Sequence, residues 1–399
     1  MWGNMCAPME SYFATCPRGL EPVLAGELES LGALRAEAVP GGVAFSGTPE
    51  TCYRANLESR VASRILWRVS GASYASEDDV YRAAYAVPWP RWFASSQTLR
   101  VEVSAIHSPL RSLDFATLRI KDAVCDRFRK ETGQRPSIDT RAPDVRVHAF
   151  LTRGGITLYL DTSGEALFKR GWRRAALEAP LRENLAAGIL QLAGWAPGIP
   201  LLDPMCGSGT FLQEAAMMAL HMAPGLGRRF AFERLGNFDP GLWEAVRGAA
   251  QARCAQPAPG GIHGSDSDPR AVQAARENLQ AAGLAQVVAL ECRPVLDARP
   301  PAPEGVLVTN PPYGMRVGDE QALAALYPEL GNVLKQRFAG WRACILTADR
   351  RLPTLIRLQP SRRTPLFNGA IECRLYEFKL IAGSMRKGRD NAAPSSPAG

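Results

Sequence analysis

The chain has 399 residues, more than one hydrophobic core usually serves, so its length predicts two or three domains. Hydrophobic residues make up 46% and charged residues 22% of it, an average globular composition that excludes wholesale disorder. The 47 Lys and Arg residues outnumber 39 Asp and Glu residues, and the formal charge of +8 favours a polyanionic partner.

The cysteine and histidine content bears on metals and on location. Nine cysteines are scattered without a Cys-x-x-Cys pair, and there are only four histidines, so no metal site and no disulfide framework is expected. No run of about 18 apolar residues occurs, and the first ten residues lack the features of a signal peptide. The sequence therefore predicts a soluble, reduced, cytoplasmic protein without a membrane segment.

Two α+β units are predicted at the start of the chain, the first over residues 1–60 and the second over 61–162. Each combines short apolar strands with a helix. The strands are predicted at 12–14, 43–45, 99–103, 146–151 and 155–160, and the helices at 19–31 and 118–132. Glycine and proline between 133 and 136 end the second helix.

The second helix belongs to a basic region. Between Arg100 and Arg153 there are eleven basic and seven acidic residues. Four basic residues at helical spacing are candidates for phosphate contacts, although a solvated helix face is the alternative. They are Lys121, Arg127, Arg129 and Lys130.

The remainder of the chain has a different pattern. A helical linker is predicted over 163–195, and short apolar strands then alternate with helices over 196–382, which is typical of a parallel sheet with crossover helices. The last residues, 383–399, are poor in apolar side chains and are predicted to form a flexible tail.

The first candidate ligand loop follows the strand Leu201–Leu202. Asp203 ends this strand, and Gly207 and Gly209 precede a helix, so that backbone can approach a ligand closely and free N–H groups face it. A tight strand-to-helix connection without a ligand is the alternative. The loop lacks the third glycine of the dinucleotide fingerprint and the Gly-Lys-Ser/Thr of a phosphate loop, so NAD and ATP are disfavoured.

Two further loops follow in order along the chain. Asp266 is predicted at the end of a second strand, where it would bind a ribose diol, while Asp268 is expected to cap the helix that begins near Arg270. The third loop, Asn310-Pro311-Pro312-Tyr313, follows the apolar strand 305–309, and its two prolines impose a rigid turn.

These motifs resemble a known family. Asp-Pro-x-Cys-Gly-Ser-Gly-Thr at 203–210 followed by Asn-Pro-Pro-Tyr at 310–313 is similar to the class I amino-methyltransferases that modify exocyclic amines of bases. The segments 16–21, 161–165, 170–173 and 366–373 narrow the resemblance to the THUMP-containing 23S ribosomal RNA guanine-N2 methyltransferases of the RlmL type. The resemblance covers residues from about 10 to 380.

The resemblance implies a fold and a cofactor. The fold is α/β, with a Rossmann-like methyltransferase domain on a mostly parallel seven-stranded sheet, preceded by α+β ferredoxin-like and THUMP domains. S-adenosyl-L-methionine is the implied cofactor, S-adenosyl-L-homocysteine its product, and no metal is required. The implied cofactor-binding residues are Asp203, Pro204, Cys206, Gly207, Gly209, Thr210, Asp266 and Asp297.

The implied catalytic residues are those of the third loop. The Asn310 side-chain oxygen and the Pro311 carbonyl would accept hydrogen bonds from the target amine, Pro312 would hold the turn, and Tyr313 would stack on the extruded base. One departure concerns the cofactor's adenine, because Pro294 stands where the family usually has an acidic residue. Asp297 is the candidate substitute.

The sequence thus predicts a methyltransferase acting on the N2 amine of a guanine in 23S rRNA, free or in an assembly intermediate of the large ribosomal subunit. A monomer is favoured, and the second methyltransferase domain of some family members is expected to be absent. The alternatives are a transfer RNA guanine-N2 methyltransferase, a DNA adenine-N6 methyltransferase, and a non-catalytic RNA-binding assembly protein.

Overall fold

The computed structural model describes residues 8–174, 181–255, 261–312 and 319–381, with the side chains of 319–323 excluded. The predicted tail at 383–399 lies outside these ranges. No helix within the described ranges combines the length and the apolar character needed to cross a membrane.

The N-terminal part of the chain forms one sheet of seven strands with helices packed against it. The strands are β1 (Glu10–Thr15), β2 (Leu34–Val39), β3 (Gly42–Gly47), β4 (Arg64–Ser73), β5 (Leu99–Ala105), β6 (Val145–Leu151) and β7 (Gly155–Asp161). The helices are α1 (Glu21–Ser30), α2 (Pro49–Glu58), α3 (Glu77–Ala86) and α4 (Leu113–Thr132).

The order of this sheet, β2-β3-β1-β4-β7-β6-β5, joins the two predicted α+β units. Strand β4 pairs antiparallel with β1 on one side and with β7 on the other. The hydrogen-bonded ladder therefore continues across residue 60, where the sequence predicts a domain boundary. The boundary remains a prediction, since two compact units can share one sheet.

Burial alternates along the strands of this sheet, because successive side chains point to opposite faces. In β6, Val145, Val147 and Ala149 are buried, whereas His148 and Phe150 on the other face are only partly covered. One face of the sheet thus belongs to the core. The other face, which we call the open face, carries Phe13, Phe150 and Tyr159 among its residues.

Helix α4 begins at Leu113, five residues before the predicted start. The cause is Ser112, whose side chain accepts a 3.2 Å hydrogen bond from the backbone N–H of Phe115 and so satisfies a free donor of the first turn. The helix ends as predicted at Gly133, which adopts a left-handed conformation with φ of 73°.

The second part of the chain comprises the end of the predicted linker (163–195) and the segment predicted to form the methyltransferase domain (196–382). Its strands are β8 (Leu201–Asp203), β9 (Ile262–Asp266), β10 (Val288–Cys292), β11 (Gly305–Thr309), β12 (Trp341–Thr347), β13 (Arg362–Asn368) and β14 (Ile371–Lys379). Its helices are α5 (Glu183–Leu192), α6 (Thr210–Ala219), α7 (Pro240–Ala252), α8 (Pro269–Ala281), α9 (Asp319–Arg337) and the short α10 (Leu352–Leu355).

The seven strands are arranged in the order β10-β9-β8-β11-β12-β14-β13. The first five are parallel, and β14 and β13 pair antiparallel at one edge. This arrangement confirms the predicted mostly parallel seven-stranded sheet. The chain leaves β8 to one side toward β9 and returns on the other side as β11, which creates the crevice where ligands bind in open α/β sheets.

The two parts of the molecule pack tightly against each other. The ring of Tyr53 in α2 stacks on Phe232 with ring centroids 4.4 Å apart, and Arg60 Nη2 donates a 2.7 Å hydrogen bond to the carbonyl of Met222. Near the β13–β14 hairpin, the guanidinium of Arg18 lies 4.7 Å from the ring centroid of Phe367. The motif at 16–21 therefore forms part of the contact between the two parts.

Candidate functional site

The loop after β8 places two glycines in the left-handed region. Gly207 has φ of 52° and Gly209 has φ of 82°. A Cβ at Gly209 would lie 3.0 Å from the Cβ of Ala275, so helix α8 closes the space behind this loop. Gly209 is also the N-cap of α6, and no side chain caps the first turn of that helix, whose first N–H groups lack intrahelical partners and suit a ligand. The predicted strand, glycine turn and helix are present.

Asp203 lies at the carboxyl end of β8 and is buried. Its Oδ1 accepts hydrogen bonds from Thr309 Oγ1 at 2.9 Å and from the backbone N–H of Met205 at 3.2 Å. No donor among the described residues reaches Oδ2. The pKa of Asp203 is raised to about 7, mainly by burial and in smaller part by the nearby Asp266, while the two hydrogen bonds oppose the shift. A cationic ligand group beside Oδ2 would favour the ionised carboxylate.

The other predicted residues of this loop are buried or serve as supports. Pro204 is buried, and so is Cys206, whose backbone N–H donates a 2.9 Å hydrogen bond to the carbonyl of Ser265 in β9. Burial raises the pKa of the Cys206 thiol well above its usual value, so the thiol is protonated and is no nucleophile. Thr210 Oγ1 lies 3.2 Å from Nη2 of Arg173, which donates to it.

Asp266 ends β9, next to the loop of Asp203. Its Oδ2 accepts a 2.9 Å hydrogen bond from the backbone N–H of Gly207, and its Oδ1 accepts one of 3.0 Å from that of Asp268. Asp268 is the N-cap of α8 and accepts a 2.9 Å hydrogen bond from the backbone N–H of Arg270. The sequence-based separation of these two carboxylates into a strand-end residue and a helix cap is confirmed.

Asn310 comes directly after β11, the neighbour of β8. Its Oδ1 is buried, and no hydrogen-bond donor within the described residues reaches it. Pro311 is buried and Pro312 is exposed. Tyr313, the predicted stacking residue, lies outside the described ranges. The structure thus aligns Asp266, Asp203 and Asn310 at the carboxyl ends of three adjacent parallel strands.

Asp297 differs from these three residues in that it does not lie at the end of a strand. It is exposed, in a single turn of 3₁₀ helix (Val295–Asp297) five residues beyond the end of β10. The segment that leads to it is anchored, because the backbone N–H of Arg293 donates a 2.9 Å hydrogen bond to the carbonyl of Asp266. Its assignment to the adenine remains a prediction.

The glycine loop is also supported by Asn278 of α8, a residue outside the sequence motifs. Asn278, buried in the middle of α8, donates through Nδ2 to the carbonyl of Ser208 at 3.1 Å and accepts from the backbone N–H of Arg174 at 2.8 Å. A buried asparagine on the apolar face of an amphipathic helix was the available signal, because such a side chain needs hydrogen-bond partners.

The predicted linker contributes a buried ion pair beside the loop. Arg170 Nε lies 3.1 Å from Glu214 Oε1 in α6, and both side chains are nearly inaccessible. Arg170 Nη2 also donates a 2.7 Å hydrogen bond to the carbonyl of Arg60 in the N-terminal part. The linker therefore ties the helix after the glycine loop to the N-terminal part of the chain.

Family models match the chain over three ranges. A model described as RMKL-like, methyltransferase domain, matches residues 170–377. The THUMP domain model matches 74–161, and the RlmL ferredoxin-like domain model matches 11–66. The chain belongs to the RMKL-like methyltransferase family. This confirms the resemblance found in the sequence.

Two relatives give the extent of the similarity. The chain is 39% identical over 404 aligned positions to the ribosomal RNA large subunit methyltransferase K/L of Aeromonas salmonicida, covering 96% of the chain and 56% of that protein. It is 38% identical to an RNA methyltransferase candidate of Synechocystis, covering 94% of the chain and 98% of that protein. The chain thus spans about half the length of the K/L relative and nearly all of the second one.

A solved structure has the same fold over almost the whole chain. It is a methyltransferase candidate crystallised as a complex with S-adenosylhomocysteine. The two structures superpose with a TM-score of 0.85 at 32% sequence identity, covering 93% of this chain and 98% of the other. The similarity includes the N-terminal part as well as the methyltransferase domain.

Proposed function

We propose that this protein methylates the exocyclic N2 amine of a guanine in 23S ribosomal RNA. It is a methyltransferase by family, and its cofactor is S-adenosylmethionine, as the sequence predicted. The observation that supports an amine as the methylated group is the buried Oδ1 of Asn310, which has no hydrogen-bond donor among the described residues. A buried carbonyl oxygen without a donor is destabilising unless a ligand N–H supplies one.

The residues of the glycine loop fit the cofactor. Asp203 Oδ2 is free to accept from the cofactor's cationic amino group, and a nearby positive charge would compensate the burial that raises the pKa of Asp203. Gly207 and Gly209, both in the left-handed region, leave room for the backbone to approach the cofactor closely. Asp266 lies at a strand end, a position suited to a ribose diol. We propose supporting roles for Pro204, Cys206 and Thr210, and adenine contact for Asp297.

When bound, the cofactor supplies a methyl group activated on a sulfonium. The protein then has to position the amine nitrogen in line with that methyl and to direct its lone pair. We propose that Asn310 Oδ1 and the Pro311 carbonyl accept from the two N–H groups of the amine, which turns the nitrogen lone pair away from the base ring. Pro312 fixes the turn, and Tyr313 stacks on the extruded base.

The choice of ribosomal RNA is supported by the relatives. The K/L protein of Aeromonas salmonicida is named for the large-subunit ribosomal RNA, and it is 39% identical to this chain. The THUMP and RlmL ferredoxin-like matches cover the part of the chain that would dock RNA. The guanine N2 atom is proposed from the resemblance of the motifs, because Asn-Pro-Pro-Tyr alone does not separate the amines of guanine, adenine and cytosine.

Extruding a base costs a few kcal/mol and is cheapest in loops, bulges or unfolded RNA. We therefore propose that the substrate is naked 23S rRNA or an assembly intermediate of the large subunit. Equal rates of methylation on mature subunits and on naked RNA would contradict this part of the proposal.

The experiment is transfer of labelled methyl groups from S-adenosylmethionine to unmodified large-subunit rRNA, tRNA and DNA, with the product nucleoside identified by mass spectrometry. The test variant is Asn310→Ala, and the matched control is Asn237→Ala, which removes an exposed asparagine between 3₁₀ helix Ala231–Arg234 and α7. We expect N2-methylguanosine in the rRNA alone, lost in Asn310→Ala and retained in Asn237→Ala. Label in tRNA would contradict the proposal that rRNA is the substrate, and N6-methyladenine as the product would contradict the proposal that guanine is the target base.

A further inference from the structure

We propose that the open face of the N-terminal sheet is a docking platform for a single-stranded segment of the RNA substrate. The inference rests on the proposed function in that the partner is RNA. It adds a location on the N-terminal sheet, whereas the methyl-transfer crevice belongs to the other sheet, and it predicts stacking of unpaired bases on named side chains.

The open face contains a groove with a volume of about 630 Å³. Its floor is formed by residues of strands β1, β4, β5, β6 and β7. One wall is the turn between β2 and β3 (residues 39–41), and the opposite wall is the segment after β5 (residues 106–107). A groove that runs between these two segments has room for an extended chain.

The floor of the groove is aromatic. The rings of Phe13 and Tyr159 have centroids 6.3 Å apart and are tilted by 48°, so each presents a different surface to the groove. Phe150 lies on the neighbouring strand, and all three rings are only partly covered. Bases stack on such rings whatever their identity, because every base has a π-face.

Two exposed arginines lie close to this aromatic floor, one in the lining of the groove and one beside it. Arg68 is the direct cross-strand neighbour of Tyr159, and Arg153 stands at the turn between β6 and β7. Both guanidiniums are exposed, and no carboxylate among the described residues forms an ion pair with either of them. They are therefore available to phosphates that flank a stacked base.

The remaining charges of the face do not cancel this excess. Arg64 pairs with Asp161, and Arg100 pairs with Glu102 at 2.9 Å. His148, the cross-strand neighbour of Tyr159 on β6, is close to Glu102, but burial lowers the pKa of its imidazole and so favours the neutral ring. The uncompensated positive charge is thus that of Arg153 in the groove and of Arg68 beside it, and it complements a polyanion.

The basic helix α4, the candidate suggested by the sequence, is less suited to this role. Lys121 pairs with Asp122 at 2.8 Å, Arg127 with Glu131 at 2.5 Å, and Arg129 with Asp126 at 3.3 Å. Lys130 lies 5.8 Å from the ring centroid of Tyr85. Most of the positive charge of this helix is therefore compensated by carboxylates one turn away or adjacent, which favours the open face.

The aromatic floor specifies a single strand rather than a duplex. In double-stranded RNA the base faces are stacked on one another and cannot reach a protein ring, whereas bases of loops and unpaired segments can. Two exposed arginines without a carboxylate partner, Arg153 in the lining of the groove and Arg68 beside Tyr159, favour a polyanion over a protein segment.

The test measures binding of a fluorescently labelled single-stranded RNA oligonucleotide, and of the same sequence closed into a hairpin duplex, by fluorescence anisotropy. The variants are Tyr159→Ala, Tyr159→Phe and Arg68→Ala, with Arg129→Ala on α4 as the matched control. We expect roughly tenfold weaker binding of the single strand by Tyr159→Ala, near-normal binding by Tyr159→Phe, and weaker, less salt-dependent binding by Arg68→Ala. The wild type and Tyr159→Ala should bind the duplex with similar affinity.

Photocrosslinking with 5-iodouridine in the same oligonucleotide locates the contact independently of folding effects. Crosslinks should map to peptides that contain Phe13, Phe150 or Tyr159. Unchanged single-strand binding by Tyr159→Ala, together with crosslinks on α4, would overturn the platform. Crosslinks elsewhere on the chain would also overturn it.

Failure of the platform and failure of the proposed function are distinguishable. Asn310→Ala should lose methyl transfer while retaining single-strand binding, because Asn310 lies in the other sheet. Tyr159→Ala should raise the KM for RNA with little change in kcat and no change in the affinity for S-adenosylmethionine. A fall in kcat at saturating RNA with unchanged KM would contradict a docking role for Tyr159.

Discussion

Thr309 Oγ1 donates a 2.9 Å hydrogen bond to Asp203 Oδ1, and this contact joins the carboxyl ends of β8 and β11. It places the carboxylate proposed to bind the cofactor next to the strand that leads into Asn310. Both side chains are buried, so the bond is shielded from water and holds the two loops in a fixed relation.

The Asp203 carboxylate should make stability depend on pH. Its folded pKa of about 7 lies above the ordinary value of 3.8, so between these values the folded state holds a proton that the unfolded state releases. Stability without cofactor should fall as pH rises through this window. Asp203→Asn keeps an oxygen for Thr309 and removes the charge, so it should be more stable than wild type near pH 8, by on the order of 1.4 kcal/mol for each unit between the two pKa values.

The measurement is the free energy of unfolding of wild type and Asp203→Asn near pH 4 and near pH 8, roughly the limits of that window. The difference should be small at the lower pH. A constant difference across the range would show that Asp203 is not the titrating group. In calorimetry the same variant should bind S-adenosylmethionine more weakly, if the proposed contact with the amino group is correct.

Gly209→Ala should reduce both stability and cofactor affinity. The residue has φ of 82°, which costs an L-residue about 1–2 kcal/mol, and the added Cβ would press on Ala275 at 3.0 Å. Gly133→Ala is the matched control, with φ of 73° and nothing within 4 Å of the added Cβ. Thermal unfolding should show a larger loss for Gly209→Ala, and equal losses would contradict a packing constraint at this loop.

Glu214→Gln should be strongly destabilising. It leaves the buried guanidinium of Arg170 without its countercharge, and breaking a buried pair from one side costs about 3–5 kcal/mol. Glu165→Gln, which removes the exposed pair with Lys169 at 2.8 Å, is the control and should cost about 0–1 kcal/mol. Urea unfolding of the two variants provides the comparison, and similar midpoints would show that the buried pair is not needed.

Gly19→Ala tests the contact between the two parts of the molecule. Gly19 has φ of 92°, and a Cβ there would lie 2.3 Å from the carbonyl oxygen of Pro365 in β13. Gly41→Ala has almost the same backbone conformation, with φ of 90°, and meets no atom within 4 Å. The control should lose only about 1–2 kcal/mol of stability, which is the cost of an L-residue in this backbone conformation, and Gly19→Ala should lose more. Equal melting temperatures for the two variants would contradict a close interface at this loop.

Local sequence patterns predicted much of this protein correctly. The alternation of apolar strands and helices after residue 196 indicated the parallel sheet, and the carboxyl ends of parallel strands meet at one edge. Asp203, Asp266 and Asn310 could therefore be assigned to one crevice from the sequence alone. The cap at Asp268 and the helix stop at Gly133 were also readable, because each depends on a few neighbouring residues.

Only the tertiary structure decided the contacts that join distant segments. Arg170 and Glu214 are 44 residues apart, and Asp203 and Thr309 are 106 apart. The docking of Gly19 against Pro365, the approach of Phe13 to Tyr159 and the pairing of Arg68 with Tyr159 across two strands are of the same kind. Periodicity and motifs report which face a residue takes within its own element. The partner across the core depends on the path of the whole chain, and it appears only when the elements are packed together.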